Sequence, residues 1–372
     1  MSAIYIHIPY CKQKCGYCSF YSITDFCSIE KYIDATCREV EDILLTASRK
    51  IEIDTIYIGG GTPSMLPYSQ LKQIFDCLYK NSDISKDAEI TIEVNPESAN
   101  LNLFTHIKLL GINRISIGLQ SHDNEILKTI NRSHTYEMFE NAVNLAAKLG
   151  FNNISADIIL GLPNQDKESV IKSLELITSF ESIKHISMYA LTLDEDCKLY
   201  KEGFKIDIDL QADLYNLAFK FSESKGFDRY EISNFARKSY ESRHNQKYWT
   251  GENYYGFGAG AHSLIDGVRI ENKPDIKAYI NQDFAQKKYD SKIYHTLSIQ
   301  EKIEEYIMLS LRTVKGINLT ELKQKYSYDL LTHKKTQIEK FLSQKLLIRR
   351  GNSLAIVPNA FYIMNAIVVE LL

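Results

Sequence analysis

Cys11, Cys15 and Cys18 follow directly on the apolar run Ile4-Tyr5-Ile6-His7-Ile8. Three thiols spaced CxxxCxxC suit a 4Fe–4S cluster better than a zinc site or a disulfide. A structural zinc site takes four ligands, most often as two close pairs, and no second pair follows in this chain. Disulfides belong to exported chains. The first residues lack a basic segment and are interrupted by His7 and Pro9, which does not describe a signal peptide. Four irons held by three cysteines leave one iron open to a ligand that the polypeptide does not supply. The other cysteines, Cys27, Cys37, Cys77 and Cys197, are scattered and read as small apolar packing residues.

A second set of chemistry-bearing residues lies at the ends of later apolar runs. These are Gly59-Gly60-Gly61-Thr62-Pro63-Ser64, Glu93-Val94-Asn95-Pro96-Glu97, Gly118-Leu119-Gln120-Ser121 with Asn131-Arg132 beyond, and Asp157 with Gly161-Leu162-Pro163. Consecutive glycines let a backbone approach a ligand closely. Two carboxylates, an amide and a guanidinium on one rim suit a ligand bearing charges and hydroxyls, because each desolvated polar group needs a partner. Singly, each is equally a helix cap or a surface ion pair; together, on successive strand ends, they make a candidate site. Residues 244–249, His-Asn-Gln-Lys-Tyr-Trp, include the only tryptophan. A neutral imidazole can ligate heme iron and aromatics can stack on a porphyrin. His244 can equally hydrogen-bond inside a packed aromatic corner. In Gly256-Phe257-Gly258-Ala259-Gly260-Ala261-His262-Ser263 the glycines read as close backbone packing, with His262 a secondary candidate.

The elements that position these groups alternate. Apolar runs at 4–8, 55–58, 89–94, 114–119, 155–160 and 185–191 read as strands, separated by helical periodicity near 28–48, 68–80, 100–110, 135–149, 166–179 and 208–225. Six βα units in series predict a parallel sheet, open or closed into a barrel. The glycine and polar features sit at the carboxyl ends of strands, where barrel enzymes place their chemistry. Residues 230–296 lose the rhythm and read as a connecting segment. From 297 the pattern is helical over 298–313, 319–326 and 334–345. A hairpin over 346–357 turns at Gly351-Asn352, and a last helix covers 361–371, so this part reads as a small winged-helix-like α+β domain.

The segments YIHIPYCKQKCGYCSFYS, IGGGTPSML, EVNPE, RISIGLQS, DIILGLP and HNQKYW, in order across nearly the whole chain, resemble the coproporphyrinogen III oxidase-like branch of the radical S-adenosylmethionine superfamily. The resemblance implies a partial (β/α)6 barrel over residues 1–229. It implies that Cys11, Cys15 and Cys18 ligate the cluster and that S-adenosylmethionine occupies the open iron. Tyr5 and the Gly60-Gly61-Thr62 turn would then contact the methionyl end and Glu93 its amine. Gln120, Arg132 and Asp157 would line the nucleotide pocket, Tyr17 would pack over the cofactor, and Ala190 would offer a backbone contact. His244 becomes a candidate heme-iron ligand. The oxidases of this branch carry a further cysteine two residues after the third ligand, where this chain has Phe20, and an extension ahead of the cluster loop, where Tyr5 here is almost the first residue. Both departures favour the heme-chaperone members of the branch over the oxidases.

Composition agrees with an ordinary folded protein. The 372 residues are 44% hydrophobic and 24% charged, with net charge −3, so no field for polyanions is implied. From residue 300 onward, 11 Lys/Arg face seven Asp/Glu, an excess too small to indicate nucleic-acid binding. The leading expectation is a cytoplasmic chaperone, peripheral to the membrane during delivery, that binds heme and passes it to heme-accepting respiratory proteins. The resemblance also implies a homodimer; the electron donor is not specified. The alternative is an oxygen-independent coproporphyrinogen III oxidase, and a third reading keeps radical chemistry on another substrate.

Overall fold

Alternation of apolar and polar residues governs six leading strands: β1 (Ser2–Ile8), β2 (Glu52–Gly60), β3 (Asp83–Val94), β4 (Arg114–Gln120), β5 (Ile154–Leu160) and β6 (Ile183–Ala190). The structure is a computed structural model describing residues 1–45, 50–284 and 292–372. The six strands pair in parallel and in chain order. Helices at Ile29–Leu45, Tyr68–Asn81, Leu101–Leu109, Tyr136–Lys148 and Lys167–Ser179 connect them, and Ile208–Ser224 follows β6. Positions 46–48 of the first expected helix lie outside the described residues.

The alternation sorts the two faces of the sheet. Ile4, Ile6, Ile8, Ile56, Ile58, Ile90, Ile92, Ile115, Ile117, Ile186 and Met188 point outward into one apolar core. The intervening residues are polar: Tyr5 and His7, Thr55 and Tyr57, Glu89 and Glu93, Arg114 and Ser116, Ser155 and Asp157, His185 and Ser187. Parallel sheets covered on both faces are normally apolar throughout. Here the inner face is polar and must be satisfied within itself or by a ligand. Its lower part is satisfied in part within itself: Ser155 Oγ lies 2.8 Å from His185 Nδ1, whose Nε2 lies 2.8 Å from the Tyr230 hydroxyl.

The barrel does not close. The outer edge of β6 takes up β8 (Asn234–Ala236), beside β7 (Asp228–Arg229). The outer edge of β1 takes up β9 (Tyr254–Phe257) in parallel, followed by antiparallel β10 (His262–Ile265), β11 (Val268–Asn272) and β12 (Lys292–Thr296). The stretch expected to be a connector, 230–296, therefore supplies five of the twelve strands described in this sheet, β8 beside β6 and β9 to β12 beyond β1. Close packing explains one of its glycines, since a Cβ on Gly256 would collide with the His262 backbone. The C-terminal part is α+β as expected. Its sheet, in the order β13 (Ile317–Asn318), β15 (Ser353–Ile356), β14 (Leu347–Arg350), packs with helices Ile299–Leu311, Leu319–Tyr326, Lys335–Ser343 and Met364–Leu371. Its hairpin turns at Gly351, with φ +60°.

Candidate cofactor site

The cysteine loop leaves β1 at the carboxyl end of the sheet and is fixed from three sides. Cys11 N donates to Ile23 O at 2.9 Å, Gly16 N donates to Ile130 O at 2.8 Å, and Leu199 N donates to Gly16 O at 2.9 Å. Asn131, held at φ +58°, donates through Nδ2 to Lys14 O at 2.8 Å. Two of the thiols have polar side-chain partners: Thr62 Oγ1 is 3.6 Å from Cys11 Sγ, and Arg132 donates to Cys15 Sγ at 3.4 Å. Burial raises the Cys11 thiol and pushes Cys18 up to about 11. Thiolates here need a positive partner, which metal ligation supplies. Among the described residues no three Cys, His, Asp or Glu side chains converge on a single-ion site. A four-iron cluster makes no such demand, because each of its cysteines meets a different iron.

Beside the loop opens a cavity of about 370 Å³. All three cysteines line it, with Tyr17 from the loop, Gly60, Gly61 and Thr62 from the end of β2, and Glu93 from β3. Gln120 from β4, Arg132, Asp157 from β5 and Ala190 from β6 complete the predicted set. Tyr5 is the exception: it faces an adjoining cavity and donates toward His7 Nδ1 at 3.0 Å. Gly61 is required by close approach, since a Cβ there would stand 2.6 Å from Tyr10 O, one residue before the first cysteine. Gln120 adopts φ +67°, an unfavourable conformation for a side chain with a Cβ and one that collects at functional sites.

The charges in this cavity are unevenly satisfied. Glu93 accepts from the Tyr57 hydroxyl at 2.9 Å and from Gly60 N at 3.2 Å, yet burial pushes its carboxyl up to about 7, aided by the charge of Asp157. Asp157 is also raised by burial, although the Ser116 hydroxyl donates to it at 2.9 Å. Arg132 donates to Asn95 Oδ1 at 3.1 Å and to Gly118 O at 3.3 Å, which aims it across the cavity mouth. A ligand with a cationic amine and hydroxyls matches two underprotected carboxylates, and a carboxylate matches the guanidinium.

Comparison with known proteins agrees with this geometry. Residues 5–177 match the radical SAM superfamily and residues 297–363 the HemN C-terminal domain. The heme chaperone HemW of Bacillus subtilis (strain 168) is 33% identical over 338 residues, 89% of this chain and 88% of that protein. HemW of Buchnera aphidicola subsp. Acyrthosiphon pisum (strain APS) is 36% identical over 321 residues, 85% of this chain and 84% of its own length. The chain belongs to the HemW family. Membership of the radical SAM superfamily implies a 4Fe–4S cluster and S-adenosylmethionine, and the thiol loop and neighbouring cavity fit that pair. The solved coproporphyrinogen III oxidase HemN from Escherichia coli shares the fold: TM-score 0.86, 21% identity, covering 100% of this chain and 90% of that one.

In this HemW-family chain, His244 does not face an open site. Arg243–Thr250 is a helix, capped by Ser242, that plugs the amino ends of the strands. His244 is fully buried, its Nδ1 3.0 Å from Thr55 Oγ1 and its Nε2 2.8 Å from the Tyr248 hydroxyl. Its ring packs 5.3 Å from Tyr57, and burial lowers its pKa to about 3. Both nitrogens are engaged within the protein, so the structure shows His244 in a packed aromatic corner, the alternative the sequence allowed, and not facing an open cavity; the tautomer decides only which nitrogen donates. Sequence reasoning missed Tyr57, Ser116 and Tyr189, and gave Asn95 no role of its own within its strand-end segment; all four support or line the cavity. The usable signal was the alternation itself, since each is a polar or aromatic residue on or directly beside a strand whose neighbours face the core.

Proposed function

We propose that this chain is a heme chaperone that holds a 4Fe–4S cluster on Cys11, Cys15 and Cys18, binds S-adenosylmethionine in the adjoining cavity, and passes heme to heme-accepting respiratory proteins. The observation that carries the cofactor assignment is the meeting, around one cavity, of three thiols and residues from five successive strand ends. Glu93 would take the methionyl amine, and Asp157 with Gln120 the ribose. Tyr17 covers the cofactor, and Arg132 faces both a thiol and the cavity. When bound, the cluster and S-adenosylmethionine supply one-electron chemistry; the chain's own residues orient the nucleotide and exclude water. Similarity to proteins named heme chaperones supports heme as cargo. Homodimerisation and action in the cytoplasm or at a membrane surface belong to the proposal; among the described residues no helix is long and apolar enough to cross a membrane.

One anaerobic reconstitution tests it. The purified chain should take up about four irons, change its iron spectrum on adding S-adenosylmethionine, bind heme near one per chain, and leave coproporphyrinogen III unconverted. Zinc or no metal in the loop would overturn the cofactor assignment. Formation of protoporphyrinogen would favour the oxidase, a reading that the HemN-like fold admits but Phe20 opposes.

A further inference from the structure

All nine histidines lie among the described residues. Seven have a ring nitrogen engaged: His7 by Tyr5 and Tyr21, His122 by Ser173, His134 by Leu119, His185 by Ser155 and Tyr230, His244 by Thr55 and Tyr248, His295 by Glu301 and His333 by Asp329. His106 stacks on Tyr68 away from the cavities described. Among the described residues His262 alone presents an unbonded, exposed imidazole to a cavity.

That cavity, about 430 Å³, lies between the cysteine loop and the β10–β11 hairpin. Its size falls within the roughly 300–1,000 Å³ of small-molecule sites. Its walls are aromatic: Tyr5, Tyr248, Tyr254 and Phe20 line it, and Phe20 is 68% exposed. Flat aromatic walls around an open imidazole are chemistry that recognises a metalloporphyrin. Glu271 sits directly opposite His262 in the antiparallel ladder and lines the same cavity. Side chains so paired have Cβ atoms about 4.5–5.5 Å apart, which brings the carboxylate within reach of the second ring nitrogen. Carboxylates in that position orient metal-ligating imidazoles and raise their basicity. Ser19 lines both this cavity and the cofactor cavity, so a ligand here would abut the cluster loop.

We propose that His262 is the axial ligand of the heme iron, that the cavity under β10–β11 is the porphyrin seat, and that Glu271 is its positioning residue. This rests on the heme-chaperone reading and adds the ligand to it. Because His262 and Phe20 are exposed, a porphyrin held there keeps an edge accessible to an acceptor.

The test is a hemin titration of the cluster-reconstituted chain, read by Soret absorbance and electron paramagnetic resonance. His262→Ala should weaken binding by roughly tenfold or more and abolish the imidazole-ligated signature, and added imidazole should restore that signature. The spectral response of the cluster to S-adenosylmethionine should persist in the variant. His262→Met, which keeps side-chain bulk, should shift the spectrum toward thioether ligation and serves if the alanine variant folds poorly. A His262→Ala titration and spectrum identical to native would overturn the His262 assignment while leaving the chaperone reading intact. Failure of the native chain to bind hemin would instead overturn that reading, and this inference with it.

Discussion

Replacing His244 separates a structural role from a ligand role. His244→Ala removes a fully buried ring and leaves the Thr55 and Tyr248 hydroxyls without their partner. Each orphaned hydroxyl costs about 1–3 kcal/mol, and the vacated volume beside Tyr57 adds a cavity term, giving a destabilisation of at least about 3 kcal/mol in total. Against a typical stability of about 5–15 kcal/mol, this is a large fraction, so His244→Gln should be measured beside it. Glutamine can still reach one hydroxyl and should recover part of the loss.

The assay is urea unfolding of the reconstituted chain, followed by hemin titration at urea concentrations below the onset of unfolding. The expected outcome is a much lower midpoint with an unchanged heme spectrum in the folded fraction. A variant within about 0.5 kcal/mol of native that has lost the imidazole signature would refute the reasoning. It would mean that the 243–250 helix leaves its plug position and that His244 reaches the iron after all.

Other consequences follow from the same geometry. Glu93→Gln should weaken S-adenosylmethionine binding roughly 10- to 100-fold, the worth of a charged hydrogen bond, as read from the cofactor-induced change in the iron spectrum. In the native chain that binding should tighten as pH rises from 5.5 to 7, since a carboxyl raised to about 7 must ionise to meet an ammonium; the glutamine variant should lose this dependence. Gly61→Ala should lower iron content on reconstitution, because its Cβ would press on the Tyr10 carbonyl at the root of the cysteine loop. Stability should show a histidine-dependent fall below pH 6.5. His244 and His134, lowered to about 3 and about 4, stay neutral in the folded chain while the unfolded chain takes up protons. Each contributes at most about 1.4 kcal/mol per pH unit in that window. Glu93 and Glu231, both raised to about 7, act in the opposite sense between pH 4.5 and 7. Urea unfolding at pH 7.5, 6 and 5 should therefore show a shallower acid-side slope for His244→Gln than for native; equal slopes would contradict a neutral buried His244.

What the sequence made legible follows from range. The six central strands were readable because their outer residues, such as Ile90, Ile92 and Ile117, repeat every second position against one core. The glycine turn and the polar strand ends marked a common rim for the same reason. The edge strands were not readable: β7 has two residues and β8 three, too few for any period, and β9 finds its partner β1 some 250 positions away. Likewise the fate of His244 depends on Thr55, 189 residues distant, whose hydroxyl no local pattern connects to it. The cysteine reading differed in kind, because its information lay wholly in local spacing, and three of the other four cysteines packed much as expected while Cys27 is exposed.

Two glutamates on one face of β3 show why position along a strand decides between structure and chemistry. Glu89 and Glu93 are four residues apart, so both point into the barrel. Glu89, in the lower layer, receives the Ser242 hydroxyl at 3.3 Å and the backbone N–H groups of Arg243 and His244 at 3.0 Å each. Those donors form the amino end of the 243–250 helix, whose dipole further favours a negative charge. That carboxylate is complete, and its charge holds the plug in place. Glu93, two inward positions higher beyond Thr91, has one phenol and one amide, a second carboxylate nearby and an open cavity on its remaining side. A buried anion short of donors is held near neutrality until a cation arrives, and burial beside Asp157 raises the Glu93 carboxyl in that way. The same residue type thus anchors the fold where the chain itself supplies the donors and waits for a ligand where the chain withholds them. This is why the amino ends of these strands carry the packed His244 and their carboxyl ends carry the site.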